Sequence, residues 1–183
     1  MVRVVAISGM PGAGKGVFGQ VAIEMGFIVR SMGDMIRAEV EARDLDENPH
    51  VFGRIAQELR DKYGYGVLAT RLVGAINKDL ETTEIVVIEG MRGDAERNIF
   101  AEAWGDDFGV LAIDSSIDAR FQRILARGRA EDGDRATFEE RDERECGWGL
   151  GLILKQANWR LSNEGEIKEF KDASKAWLFS HCE

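Results

Sequence analysis

The stretch Gly9-Met10-Pro11-Gly12-Ala13-Gly14-Lys15-Gly16 places glycines and one lysine at the spacing of a phosphate cradle. Small residues let consecutive backbone N–H groups turn inward on an anion, while the lysine reaches the β- and γ-phosphates. An apolar run at 2–7 precedes it, and the residues at 17–25 that follow have apolar side chains at helical spacing. The loop is therefore expected to end a strand and open a helix whose dipole adds to anion binding. Gly9, Pro11, Gly12, Ala13, Gly14, Lys15, Gly16 and Val17 are the expected contacts to a bound nucleotide, with ATP as the donor. The common pattern ends in Ser or Thr, whose hydroxyl binds Mg2+, and Gly16 and Val17 have none. Mg2+ is then expected to be held mostly through water.

A second set of groups falls beside that loop. Asp34 stands in the first turn of a predicted helix and Arg37 one turn later on the same face, offering a carboxylate and a guanidinium to a second phosphate-bearing group. The competing reading is a solvated Arg37 and an Asp34 that merely complements the helix dipole. The run Ile85-Val86-Val87-Ile88 ends in Glu89-Gly90-Met91-Arg92. A carboxylate at the end of a buried strand is where phosphoryl-transfer sites orient Mg2+ and its waters, and Arg92 follows within reach of a transferring phosphate. Glu89 and Asp34 are thus expected to hold metal through water. Gly33, Asp34, Arg37, Gly90 and Arg92 are expected to meet the acceptor, and Lys15, Asp34, Arg92 and Arg129 to serve catalysis.

Further along, a helix predicted at 117–128 turns Phe121, Ile124 and Leu125 inward and lines Arg120, Arg123 and Arg127 along the other side. The polar, glycine-containing segment that follows reads as a mobile lid at about 128–147, with Thr137-x-x-Glu140 as a capping box that restarts a helix. Arg123 and Arg127 are expected to touch nucleotide. Trp148, set among glycines, either borders an acceptor pocket or packs in the core. Asn163 and Gly165 form a turn where the base of a bound nucleotide is expected to rest.

The elements needed to hold these groups follow from an alternation of strand and helix patterns. Candidate strands at 2–7, 27–31, 84–89, 108–114 and 158–162 predict a five-stranded parallel sheet covered by helices, a three-layer α/β/α P-loop NTPase fold with ligands at the strands' C-terminal ends. Asn48-Pro49 is a helix start, and helices marked by Phe52, Ile55 and Leu59 and by Leu68, Leu72, Val73 and Ile76 form an acceptor-side insertion at about 33–80. At 183 residues the chain is expected to be a single kinase-like domain.

The net charge of −9 argues against broad nucleic-acid or anionic-membrane binding. Cys146 and Cys182 have no metal-ligand spacing with His50 or His181, so reduced, structural thiols are expected. No apolar stretch approaches the ~18 residues of a membrane span, and the expected location is cytoplasmic. The expected partner is a small-molecule nucleotide acceptor, with the chain a monomer or homodimer.

With these residues assembled, the chain resembles adenylate kinases and dephospho-CoA kinases, and most closely an archaeal family of P-loop kinases related to both. Gly33-Asp34-Met35-Ile36-Arg37 is similar to the adenylate-kinase segment whose arginine grips the acceptor phosphate. Glu89-Gly90-Met91-Arg92 resembles its strand-end Asp-Gly and phosphate-binding arginine, with Glu in place of Asp and no intervening Pro. Gly directly after the lysine is also an adenylate-kinase trait, whereas Met32 stands where those enzymes often place a Thr. In dephospho-CoA kinases an Asp at the position of Asp34 acts on a ribose hydroxyl, and the last strand ends in a turn like Asn163-Glu164-Gly165. The resemblance implies an ATP-dependent phosphotransferase acting on a nucleotide-type acceptor. The alternatives are transfer to a ribose hydroxyl or a nucleotide-dependent ATPase or switch.

Overall fold

The computed structural model describes residues 2–46, 49–127 and 134–182. The expected catalytic residue Arg129, residues 128–133 of the expected lid at about 128–147, and Asn48 lie outside the described residues.

Five strands form one sheet in the order β2-β3-β1-β4-β5, where β1 is Val4–Ser8, β2 Ile28–Ser31, β3 Val86–Glu89, β4 Phe108–Asp114 and β5 Trp159–Ser162. All four neighbouring pairs are parallel, with Ile7 opposite Glu89 and Leu111 across β1, and Ser31 opposite Glu89 on β2. The expected strands thus fall in place, each trimmed by at most two residues at its start except β4. Side chains alternate between the faces of a strand, so β1 serves two cores. Val4 and Ala6 pack with α2 (Met32–Ala42), α3 (Pro49–Tyr63), α4 (Val67–Asp79) and α5 (Asp94–Trp104); Val5 and Ile7 pack with α1 (Lys15–Glu24) and α9 (Ile167–Cys182). That arrangement is helix, sheet, helix, with every strand end that matters on one edge.

The helices α6 (Ile117–Arg127), α7 (Arg135–Gly147) and α8 (Leu150–Lys155) complete the described chain. Two expectations here are corrected. The helix after the lid starts at Arg135, not Thr137, because the Asp134 carboxylate accepts both the Thr137 N–H and O–H at 3.0 Å, an N-cap that leaves Glu140 no capping role. On α6, Ile124 is buried but Leu125 is exposed, and Arg120 is buried rather than solvated. The reason for the second is a partner on another helix. Arg120 donates to the Asp142 carboxylate at 2.9 and 2.5 Å, and its guanidinium lies over the Phe138 ring 5.0 Å from the centroid. Among the described residues no helix is long and apolar enough to cross a membrane. Cys146 and Cys182 are both free thiols, Cys182 buried and its pKa pushed up to about 11 by that burial.

Candidate phosphate-transfer site

The cradle begins where β1 ends. Gly14 caps α1 in the left-handed region at φ 112, a conformation that costs a side-chain-bearing residue strain, and a Cβ there would overlap the Asn163 amide. Asn163, buried at the end of β5, donates its Nδ2–H to the Ala13 carbonyl at 2.8 Å. Arg120 donates to the Pro11 carbonyl at 3.0 Å. Two distant elements therefore hold the loop's carbonyls outward. The Val17 N–H is bonded to the Gly14 carbonyl at 2.9 Å, so the amides placed for an anion at the start of α1 are those of Lys15 and Gly16 ahead of it.

Lys15 folds back on the loop, donating to the carbonyls of Gly9 at 2.5 Å and Met10 at 3.1 Å. Burial is the main cause of its lowered pKa, about 8 against an ordinary 10.5; Glu145 and Glu89 oppose the shift and the Arg92 and Arg141 charges add to it. An incoming phosphate would stabilise the ammonium and raise the pKa again.

Glu89 ends β3 beside this lysine. Its carboxylate sits against Gly19 of α1, where any Cβ would overlap Oε1, and that oxygen is buried without a hydrogen-bond partner. Burial raises its pKa, Lys15 counters, and the nearby Asp34 raises it further. An orphaned carboxylate oxygen next to a phosphate cradle fits a cation that reaches it directly or through one water. Among the described residues no cluster of three or more His, Cys, Asp or Glu side chains could hold a metal by itself. The donor set therefore suits Mg2+, which keeps most of its waters and binds through one or two carboxylates and phosphate oxygens.

Asp34 closes the N-terminus of α2. Its Oδ2 accepts the Ser31 N–H at 2.7 Å while the Ser31 hydroxyl accepts from the Gly33 N–H at 3.0 Å, and its Oδ1 pairs with Arg37. The two residues expected to offer charge to an acceptor are paired with each other. Gly33 lies in the same cap, and Gly90, at φ 88, packs against Met32.

Arg92 points to α7 instead. Its Nη1 donates at 2.9 Å to Glu145 Oε1, and Arg141 donates to the same oxygen at 3.3 Å. Glu145 is 2% exposed, so one buried carboxylate holds two guanidiniums close to Lys15. Arg141 and Glu145 lay in the sequence as an i, i+4 pair on an ordinary charged helix; only the pairing to Arg92, 53 residues away, marks them as part of the site.

An arginine of α6 also serves the frame. Arg123 donates to the Ser115 hydroxyl at 2.8 Å and the Asn163 carbonyl at 2.7 Å, tying the ends of β4 and β5 together. These bonds give Arg123 a part in the frame beside its expected place at the nucleotide. Arg127 ends α6 next to the undescribed segment, and Gly165 lies in the exposed turn after β5, where Glu169 fills the space beside it.

Beyond Arg92 a cavity of about 370 Å3 opens between the end of α3, the start of α5 and the α7–α8 turn, with Trp148 and Tyr65 in its wall. Trp148 therefore borders a pocket and is not a core residue.

An AAA-domain family description matches residues 8–140, most of the chain and all of the loop, Asp34, Glu89 and Arg92. A UPF0200 protein of Methanothermobacter thermautotrophicus is 40% identical over 96% of this chain and 88% of its own length. One from Methanosarcina mazei is 35% identical over 100% of this chain and 97% of its own. The chain belongs to the UPF0200 family and contains an AAA-type P-loop domain. It also matches a UPF0200/UPF0201 protein of Archaeoglobus fulgidus at 36% identity, spanning about half of that longer protein, 53%. Among solved structures, the Thermus thermophilus protein TT1252 superposes with a TM-score of 0.66 at 17% identity, covering 100% of this chain and 99% of the other. Shikimate kinase from Acinetobacter baumannii, in complex with shikimate, superposes at 0.58 and 14% identity, covering 100% and 96%. At such identities the likeness is one of fold: this UPF0200 chain has the kinase-like P-loop NTPase fold with a five-stranded parallel sheet in the order 2-3-1-4-5. The P-loop domain implies nucleotide binding.

Proposed function

We propose that this UPF0200 chain is an ATP-dependent phosphotransferase, related to adenylate kinases, that acts on a nucleotide-type acceptor. The observation that carries the reading is the gathering of Lys15, Arg92 and Arg141 about the buried Glu145 carboxylate at the mouth of the phosphate loop. Phosphoryl transfer spreads charge over the three equatorial oxygens of the moving group, so catalysis consists largely of placing cations around it from both the donor and acceptor sides. Lys15 belongs to the donor loop, and Arg92, three residues past the end of β3, adds its charge near it. Glu145 holds the place of an anion and keeps the two guanidiniums oriented before substrate arrives.

Glu89, with Asp34 nearby, would hold Mg2+ through its waters. The ion, when bound, neutralises charge on the β- and γ-phosphate oxygens. The engagement of both Asp34 oxygens favours an acceptor that is already anionic. A hydroxyl acceptor needs a general base, and a carboxylate fixed by an amide and a guanidinium is a poor one. Asp34→Asn separates the two: turnover retained within a few-fold supports a phosphate acceptor, and its loss with ATP affinity intact supports a hydroxyl.

The primary test is product analysis. ATP and Mg2+ are incubated with the protein and each of a panel of nucleoside monophosphates and dephospho-CoA. The expected outcome is ADP together with one phosphorylated acceptor. ADP and inorganic phosphate alone across the panel would overturn the kinase reading in favour of an ATPase or switch.

A further inference from the structure

We infer that the cavity beside Arg92 is the acceptor's own pocket and that it takes a small aromatic phosphate, with the phosphate at the Arg92 end and the ring against Trp148. The inference rests on the phosphotransferase reading for the word acceptor, and on independent geometry for the ligand.

Three observations carry it. First, Arg92 belongs to two places at once. It lines the cavity, and it is paired at 2.9 Å with Glu145 in the cation cluster around Lys15. With 43% of its side chain exposed, it is the junction between that cluster and the cavity. An anion bound there meets the loop's phosphate site at one guanidinium, the placement in-line transfer needs. Arg60, on α3, supplies a second cation in the same wall, which also carries Asp94 and Glu96; the Glu96 carboxylate is engaged by the Arg92 and Gly93 backbone N–H groups at 2.8 and 3.3 Å.

Second, the wall carries large apolar rings that packing does not account for. Tyr65 is 67% exposed and Trp148 46% exposed. Such rings in a concave wall offer a flat apolar face to a ligand ring. Trp148 is also fixed in position. Its backbone N–H bonds to the carbonyls of Arg144 and Glu145 at 3.2 Å, Gly149 turns the chain in the left-handed region immediately after it, and the Arg144 guanidinium lies 5.7 Å from its ring centroid. Glu145 lies in the last turn of α7 and Trp148 is the cap of that turn, so the residue that orients Arg92 and the residue that would hold the ring stand three positions apart at one helix end.

Third, the residues at the start of α2 are absent from the cavity wall. Asp34 and Arg37 pair with each other, and of the side chains expected to meet the acceptor only Arg92 lines the cavity. The ring's place is thereby moved from α2 to the corner of α3, α5 and α7. The cavity of about 370 Å3 falls within the range of about 300–1,000 Å3 typical of small-molecule sites.

The probes are AMP, CMP and ribose 5-phosphate, which share a phosphate on a ribose and differ in the ring. Binding to the full chain is followed by tryptophan fluorescence and by calorimetry, with Trp148→Phe, Trp148→Ala and Arg60→Gln compared with the unaltered protein. Thermal unfolding of each variant checks that it folds. Saturable quenching by AMP or CMP is expected, lost in Trp148→Phe while calorimetric binding persists. Trp148→Ala is expected to weaken the nucleotide about tenfold and ribose 5-phosphate by less than twofold, since stacking on an aromatic face is worth about 1–3 kcal/mol per base. Arg60→Gln is expected to weaken all three alike. Equal binding of ribose 5-phosphate and the nucleotides, no saturable binding of any probe at millimolar concentration, or Trp148→Ala binding unchanged would each overturn the pocket. The two readings fail separately. Phosphoryl transfer with an acceptor KM unmoved by both Trp148→Ala and Arg60→Gln removes the pocket and keeps the kinase. Trp148-dependent nucleotide binding without transfer keeps the pocket and removes the kinase.

Discussion

Two groups of arginines flank the phosphate loop, and they do different work. On the β4–β5 side, Arg120 and Arg123 are spent on the protein itself, one on the Pro11 carbonyl and Asp142, the other on Ser115 and Asn163. On the β3 side, Arg92 and Arg141 share a single oxygen of Glu145. Neutral carbonyls and a bidentate carboxylate tie Arg120 and Arg123 to the frame, whereas Arg92 meets Glu145 through one Nη1 bond and keeps 43% of its side chain exposed. An arginine near a phosphate site is therefore a structural part or a chemical one according to how its donors are satisfied, and proximity does not decide between them.

The largest effect expected from this contrast is on folding. Arg120→Ala leaves Asp142 buried without its partner and should cost about 3–5 kcal/mol of stability, read as a lowered denaturation midpoint. A loss below about 1 kcal/mol would show that Arg120 does not hold the frame. Next is Lys15→Ala, which removes the loop's cation and should reduce turnover about a thousandfold with the unfolding midpoint nearly unchanged. Arg92→Ala should follow, lowering turnover about a hundredfold while costing little stability, because Arg141 still pairs with Glu145. A stability loss as large as that of Arg120→Ala would erase the distinction between the two sides.

The smallest effect is a pH dependence. Lys15 in the free protein titrates at about 8, and a bound phosphate requires its ammonium. Nucleotide binding should therefore take up a fraction of a proton, growing as pH rises above that value, and affinity should fall as pH rises. Calorimetry in buffers of different ionisation enthalpy measures the uptake. The linkage to folding has the opposite sense. Between about 8 and the ordinary 10.5, the unfolded chain holds this proton and the fold does not, so this group's contribution to stability rises with pH across that window.

What could be read in the sequence was what is local. The cradle is a run of eight neighbours, the strands are contiguous apolar stretches, and Glu89 is placed by the end of its own strand. What could not be read depends on partners remote in the chain. Asp142 and Glu145 look like ordinary charges on a solvated helix until α6 and β3 bring Arg120 and Arg92 to them. At the start of α2 the spacing of Ser31, Asp34 and Arg37 permits both pairs found, but it permits equally an Asp34 and Arg37 turned to an acceptor, and spacing alone does not choose between them. The helix Asp94–Trp104 escaped notice, although Asp94 and Glu96 enrich its first turn with acid, because Gly93 gives it no side-chain cap to announce it.

One bond has a consequence in time. The Ala13 carbonyl of the cradle is held by Asn163, a separation of 150 residues. While the chain is being made, the loop leaves the ribosome early and stays without this support until β5 has been synthesised and docked beside β4. Full support of the nucleotide cradle thus waits on β5.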